Sequence, residues 1–585
     1  MASCQKLDAA GGARGGQLIF LLIFLAFAVP SPGAQQPGDG SGSVSSEHDR
    51  LTAARTAFDS QQWQQAATLA EGPRSQSAEL DFLRGLALAK LQSWEGAAEA
   101  FSAGHRKAPR DPRFVVELAG VHYKEKNFAA AKRSLRIALR MQSHDAYTLE
   151  FLATIYFLEG NLDAALKYWN RIDKPRLHSV AIQPTPRLDE TTLRRALTFN
   201  APQILTEGAL IASNSRLDNL GIFPRQRIEL TPTGETFDAT LHLAERNGFG
   251  DSKLEALLAP LSGLPYATVY PEVYNLGHRA INVTSFLRWD AEKRRAFAAL
   301  SMPFRADPAR RLELYFDGRN ENWNLTNSFF AQGIPPSDLN LRRFAGGLKF
   351  RSVVGSRWSW STGLEIASRS FRNFGATRST SAAPFFIDSA SFKYFLRADS
   401  SLLRVPERRF TLDSSAEGSL GRFYANGLGA FGVTRAGVTG HWLPRASGDD
   451  YEMRAQFRVG ATFGRAPLDE LFQLGIERDD NDLWLRAHLG TTGGRKGAAP
   501  LGRRYALGNW ELDKNLYSNG IVTLKVGPFL DSGAIADSSG FGSRQWLWDT
   551  GAQCKVRIFG SINVVLIYGH DLRGGRDNFY PTVVH

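Results

Sequence analysis

Side chains that commonly carry catalysis are sparse in this chain. Eleven histidines are scattered over 585 residues. No H-E-x-x-H, P-loop or G-x-S-x-G string gathers metal ligands, a phosphate cradle or a nucleophile into one turn. Two short stretches invite chemistry. GTTGG (490–494) with GRKG (494–497) offers glycines to a phosphate, and Asp479, Asp480 and Asp482 offer carboxylates to a cation. All of them fall in predicted loop, where a Gly-rich connector and a solvated acidic turn are the simpler readings. His242 stands alone on a predicted strand and reads as an exposed or satisfied histidine. No catalytic residue, metal site or cofactor is expected, and the chain is not expected to be an enzyme.

The ordered chemistry is a face of carboxylates. Along 521–531, Val522, Leu524, Val526 and Leu530 alternate with Thr523, Lys525 and Asp531. Along 546–558, Trp546, Trp548, Ala552, Val556 and Ile558 oppose Asp549, Gln553, Lys555 and Arg557. The strand 505–513 sets Glu511 and Asp513 against Trp510 and Leu512. Successive strand residues point to opposite sides. Glu511, Asp513, Asp531 and Asp549 therefore share a lumen face if Val522, Leu524 and Val526 meet lipid.

The elements that position this face come in sequence. Residues 18–29 (LIFLLIFLAFAV) form an apolar run of twelve behind Lys6 and Arg14. Twelve helical residues rise about 18 Å, short of a membrane core of roughly 30 Å. With Pro30, Pro32 and small residues to Ala34, residues 1–34 read as a secretory signal peptide. Residues 35–46 read as a flexible linker. The net charge of +12 is spread without a basic run, so a surface near anionic lipid explains it and nucleic acid is not expected. Only Cys554 follows the signal, so no internal disulfide is available.

Across 47–175 a large residue is followed three places later by alanine: Trp63/Ala66, Trp94/Ala97, Phe128/Ala131 and Leu162/Ala165. In three copies a small residue (Gly85, Ala119, Ala153) stands twelve places before that alanine. This period resembles the tetratricopeptide repeat, a stack of helical hairpins. The stretch DKPRLHSVAIQPTP (173–186) after it reads as a connector at a domain boundary. Over 183–248, Ala196–Ile204 reads as a strand, Glu207–Leu220 as a helix capped by Gly221, and 227–230 with 237–243 as a strand pair. The stretch Leu220-Gly221-Ile222-Phe223 followed by paired strands resembles the POTRA domain, a periplasmic module. From 250 to 585 about sixteen candidate strands follow, among them 266–275, 425–434 and 472–477, the later ones alternating cleanly, several ending in Trp or Tyr (Trp289, Tyr424, Trp442, Trp546). Most are long enough to cross a membrane when tilted.

The last third resembles the bacterial surface antigen barrel of the BamA-like superfamily. FQLGIERDDNDLWLRAH (472–488) resembles a strand end and inward loop, and ALGNWEL (506–512) the next strand. GPFLDSGAI (527–535), with Phe529, Asp531 and Gly533, resembles the F-x-D-x-G strand, and 562–583 the closing strands. The loop keeps Arg486, but Ala487 and His488 replace the usual Gly and aromatic, and the chain ends on His585. The resemblance implies that Arg486 folds into the lumen to meet Asp531, with Glu511, Asp513 and Asp549 as further possible partners.

The expected architecture is thus multidomain: an α-helical tetratricopeptide-like solenoid (47–175), a small α+β POTRA-like domain (183–248) and an antiparallel transmembrane β-barrel of about sixteen strands (250–585). The resemblance implies an outer-membrane protein of a Gram-negative envelope, its repeats in the periplasm, that assembles, inserts or secretes a client polypeptide without a cofactor. The alternative is a passive pore or scaffold recruiting periplasmic protein partners through the repeats.

Overall fold

The computed structural model describes residues 41–584 apart from 73–75, 251–252, 327, 329–336, 374–384, 426, 446–447, 449, 478–481, 520, 537–542 and 559–561. The expected signal peptide, the linker as far as residue 40, Asp479, Asp480 and His585 lie outside the described residues.

Helix α1 (Ser41–Asp59) pairs with α2 (Trp63–Ala70), and α3 (Ala78–Lys90) with α4 (Trp94–Lys107), in one compact unit that ends at Lys107. The expected linker is therefore helical from Ser41. Once 47–59 has nucleated a helix, extending it by a turn costs little, because each added residue gains a hydrogen bond. Ala66 and Ala97 are fully buried. A Cβ on Gly85 would lie 2.5 Å from the Phe101 ring, which is why the small residue sits where α3 and α4 come closest.

The second unit, Ala108–His585, opens with α5 (Pro112–Lys124), α6 (Phe128–Met141), α7 (Ala146–Leu158) and α8 (Leu162–Trp169). Asp111, Asn127, Asp145 and Asn161 cap the four N-termini by accepting backbone N–H bonds. A small sheet follows, built from β1 (Leu177–Gln183), β2 (Arg225–Thr233) and β3 (Thr236–Ala244) in the order β1-β3-β2. Strand β1 runs parallel and β2 antiparallel to β3. Helices α9 (Glu190–Ala196) and α10 (Glu207–Leu220) complete it. The expected strand Ala196–Ile204 is instead the end of α9 and a loop. Pro202 has no N–H to give a ladder, and the first strand comes from 177–183, the stretch read as a connector.

The expected boundary at 173–186 does not divide the packing. A single apolar core includes Leu149, Tyr156 and Trp169 from the helices and Leu193, Leu217, Ile222 and Leu241 from the small domain. The rings of Trp169 and Phe237 stand 5.3 Å apart across that boundary. Helix α7 (AYTLEFLATIYFL) is apolar nearly all round, and a helix of that kind needs cover on more than one side.

Among the described residues the large sheet contains eighteen strands, two of them the short stubs Thr491–Thr492 and Arg495–Lys496. Its long members are β4 (Ile281–Trp289), β5 (Lys293–Phe304), β6 (Asp307–Trp323), β7 (Leu339–Val354), β8 (Trp358–Arg372), β9 (Ser389–Val405) and β10 (Phe410–Phe423). They continue as β11 (Ala430–Trp442), β12 (Tyr451–Gly464), β13 (Arg504–Ser518), β14 (Val522–Ala536), β15 (Ser543–Ile558), β16 (Ile562–Asp571) and β17 (Asp577–Val584). Each pairs antiparallel with the next, β12 joining β13 across the segment 465–503. Ahead of β4, the stubs Thr268–Val269 and Val273–Leu276 both pair with it. Pro271, which cannot donate, breaks what was read as one strand. The strand order brings β17 beside the first stub, where the Tyr266 hydroxyl donates to the Pro581 carbonyl at 3.3 Å.

Two expected wall strands differ. Segment 425–434 gives way to 430–442. Segment 472–477 is not in the wall at all: only Phe472–Gln473 pairs, with Leu501–Gly502, and Phe472, Leu474 and Ile476 are buried inside. The barrel is inverted relative to a water-soluble fold. Leu314, Phe344, Ile366, Leu420 and Phe457 are exposed on the outside, while Arg295, Asp317, Arg343, Glu365, Asp531 and Asp549 are buried.

Candidate functional site

The segment between β12 and β13 turns inward and packs across the barrel interior, held at three anchor points. Its own Leu468, Phe472, Leu474, Leu483 and Leu485 join Phe371, Phe431, Leu507, Ile535 and Leu547 of the wall in one apolar cluster. Burial of this kind supplies adhesion without direction. Direction comes from charge.

At the middle of the loop, Arg486 meets the wall of β13 to β15. Its Nε and Nη2 donate to the two carboxylate oxygens of Asp531 at 2.9 and 2.6 Å, a bidentate pair, and its backbone N–H adds a third bond at 3.0 Å. Nη1 donates to Glu511 at 3.0 Å and to Gln553 at 2.8 Å. The guanidinium lies 3.9 Å from the centre of the Phe529 ring, adding a cation–π contact. Asn509 holds the other side of Asp531 at 2.7 Å and donates to the Trp484 carbonyl. Arg486 and Asp531 are both buried. A fork-on-carboxylate geometry compensates two desolvated charges better than a single contact does.

Of the residues singled out in the sequence, the structure brings Arg486, Asp531, Glu511 and Phe529 together. Asp513 is not in contact with Arg486; it accepts from Lys555 at 2.6 Å and Gln553 at 3.0 Å. Asp549 meets the next loop residues, accepting from Ala487 N–H at 2.7 Å and lying 3.1 Å from His488 Nδ1. Gly533 is tightly placed, an added Cβ falling 3.1 Å from Leu507 and 3.2 Å from Leu474 of the loop. At Gly569 a Cβ would stand 2.5 Å from the Arg486 carbonyl, so the loop backbone lies directly on β16.

The other two anchors were not foreseen. Near the loop's start, Asp469 and Glu470 face β7 to β9. Arg369 reaches Asp469 at 2.8 Å and Glu470 at 3.0 Å, Arg343 reaches Asp469 at 3.1 Å, and Lys393 reaches Glu470 at 2.8 Å. Toward its end, Lys496 donates to Glu321 of β6 at 3.0 Å, and Asn324 N–H donates to the Lys496 carbonyl at 2.8 Å. Alternation finds the wall partners of these pairs but not the loop partners. Asn509, on the Glu511 face, was legible in that way.

Leu220, Ile222 and Phe223 are buried, and Gly221 takes φ 69° as the cap of α10. This corner touches the barrel's near end: Asn282 donates to the Leu220 carbonyl at 2.9 Å and Arg311 to the Asn219 carbonyl at 2.6 Å. At the same end α8 docks on the turn between β9 and β10. Asn161 donates to the Pro406 carbonyl at 2.8 Å, Tyr168 to Glu407 at 2.9 Å, and Lys167 pairs with Glu407 at 2.7 Å. Burial alone would raise the Glu407 carboxyl; the Lys167 ammonium outweighs it and holds the group below its ordinary range.

No protein-family model and no curated protein matches the chain. Among solved structures it is similar to BamA from Haemophilus ducreyi lacking POTRA domains 1–3, at 13% identity over 70% of this chain and 85% of that one, TM-score 0.41. CdiB from Escherichia coli is similar at 13% identity over 71% and 75%, TM-score 0.44. MamA covers 21% of this chain and 75% of its own at 16% identity, TM-score 0.21.

Proposed function

We propose that the protein sits in an outer membrane, with its helical hairpins and small domain on the periplasmic side, and assembles, inserts or secretes a client polypeptide. The apolar outer surface of the barrel supports the membrane location, because lipid is the solvent that favours exposed Leu314, Phe344 and Phe457 over buried ones. The helical hairpins, read as tetratricopeptide-like, and the small sheet, read as POTRA-like, are suited to receive an extended chain. Strand β2 is an edge of that sheet, where an added strand would find backbone partners. Neither a nucleotide nor an enzyme-like active centre belongs to this reading.

The observation that carries the choice against a passive pore is the loop packed across the lumen. The loop contributes apolar side chains and three ionic anchors to the barrel interior, whereas a diffusion channel needs a continuous water path. A liposome assay tests the reading. The full chain should accelerate insertion of an unfolded client barrel, and a version lacking residues 41–107 should retain its fold and lose part of that acceleration. Steady conductance with no acceleration favours the passive pore instead.

A further inference from the structure

The strand registers place three aspartates in one row. Asp531 stands opposite Asp549 across β14 and β15, and Asp549 opposite Asp571 across β15 and β16. Like charges directly opposite on neighbouring strands repel, and all three are buried. The loop residues Arg486, Ala487 and His488 run along this row. Arg486 takes Asp531. His488 Nδ1 lies 3.1 Å from Asp549 Oδ2, and its Nε2 faces Asp571 Oδ2 at 3.7 Å. Asp549 Oδ1 is buried without a hydrogen-bond partner.

Two features of this arrangement call for a further positive charge. With Nδ1–H donated to Asp549, Nε2 turns a lone pair toward the Asp571 carboxylate. At 3.7 Å that is too long for a hydrogen bond and repulsive unless a proton or a metal ion lies between. The row also has too little cation. Arg486 is shared with Glu511, Arg573 gives Asp571 only a backbone N–H and turns its guanidinium to the Trp546 carbonyl, and Arg576 forms no ion pair with the row among the described residues. A protonated imidazole still leaves the three carboxylates short by one charge; a dication beside a neutral imidazole balances them.

We propose that His488, Asp549 and Asp571 bind one divalent transition cation of the zinc or manganese class, clamping the loop to β15 and β16. One ligand atom from each residue lies within 4.8 Å of the others, close enough to converge on a shared ion at about 2.0–2.2 Å with a small contraction. One imidazole with two carboxylates suits zinc or manganese better than calcium or magnesium, which favour all-oxygen shells. The His488 side chain keeps 17% exposure, an entry path for the ion. Its three ligands come from separate segments, so no motif announces it.

The test uses the full chain in detergent, stripped with EDTA, dialysed, loaded with ZnCl2 or MnCl2 and measured by elemental analysis. Wild type should retain about one ion per chain, and the temperature at which its gel mobility shifts should rise with the ion. His488→Asn and Asp571→Asn should each drop to background and lose that rise. His570→Ala, which removes a neighbouring histidine outside the cluster, should keep both. Wild type that retains no ion, or variants that retain as much as wild type, would overturn the site, as would nitrogen NMR showing both ring nitrogens of His488 protonated in the zinc-loaded protein.

Discussion

The loop is held by opposite charges at opposite walls. Against β13 to β15 the loop brings the cation, Arg486, and the wall the carboxylates, Asp531 and Glu511. Against β7 to β9 the loop brings the carboxylates, Asp469 and Glu470, and the wall the cations, Arg343, Arg369 and Lys393. A loop seated the wrong way round would bring like charges together in a poorly solvated interior, where repulsion is strongest. The two docks therefore specify orientation as well as adhesion. They differ in concentration: one arginine carries the first, whereas three cations share the second.

That difference sets the order of the expected losses. Arg486→Ala leaves Asp531 buried and unpaired and should cost about 3–5 kcal/mol of barrel stability, read as a lower temperature of the gel-mobility shift. Asp531→Ala should cost a similar amount, and the double variant much less than the sum, because both remove one interaction. Additive losses would show that the two side chains act separately. Arg369→Ala should cost less, about 2–3 kcal/mol, since Arg343 and Lys393 remain to face Asp469 and Glu470. A loss equal to that of Arg486→Ala would erase the contrast between the docks.

Lys496→Met, the third anchor, strips one partner from buried Glu321 and should cost about 1–3 kcal/mol by the same measurement. The dock outside the barrel gives the smallest effect. Lys167 is 42% exposed, so Glu407→Gln should cost under about 1 kcal/mol. The Glu407 carboxyl is held below its ordinary range. Its contribution is therefore fully present above the unfolded value of about 4.3 and lost only as pH falls through the lower folded value. Cross-linking between α8 and the β9–β10 turn should persist at pH 5 and weaken only in stronger acid; loss between pH 7 and 5 would contradict that sign.

How much of this was legible in the sequence follows from what each pattern encodes. Period-two alternation along 521–531 and 546–558 reports which side chains share a face, so the lumen positions of Asp531, Asp549, Glu511 and Asp513 could be read directly. The same pattern misleads at 472–477, because Phe472, Leu474 and Ile476 are buried in a packed loop as readily as in a strand. The meeting of Arg486 with Asp531 was reachable only through a resemblance of motifs. Asp469 with Arg369, and His488 with Asp571, depend on how a loop of some forty residues crosses the barrel, which no local period records. The small domain shows the opposite failing. The stretch 177–183 has strand character, but its place between repeats and domain made it look like a connector, and the continuous core from α7 to β3 reveals it as structure.

Ionic conductance across a planar bilayer tests most directly whether the loop is a latched plug. The wild-type chain should hold the bilayer near its baseline, and the Arg486→Ala, Arg369→Ala double variant, with a dock broken at each wall, should show frequent large openings. A wild-type chain that conducts steadily at the level of the double variant would contradict the account, since the lumen would then be open with both docks intact.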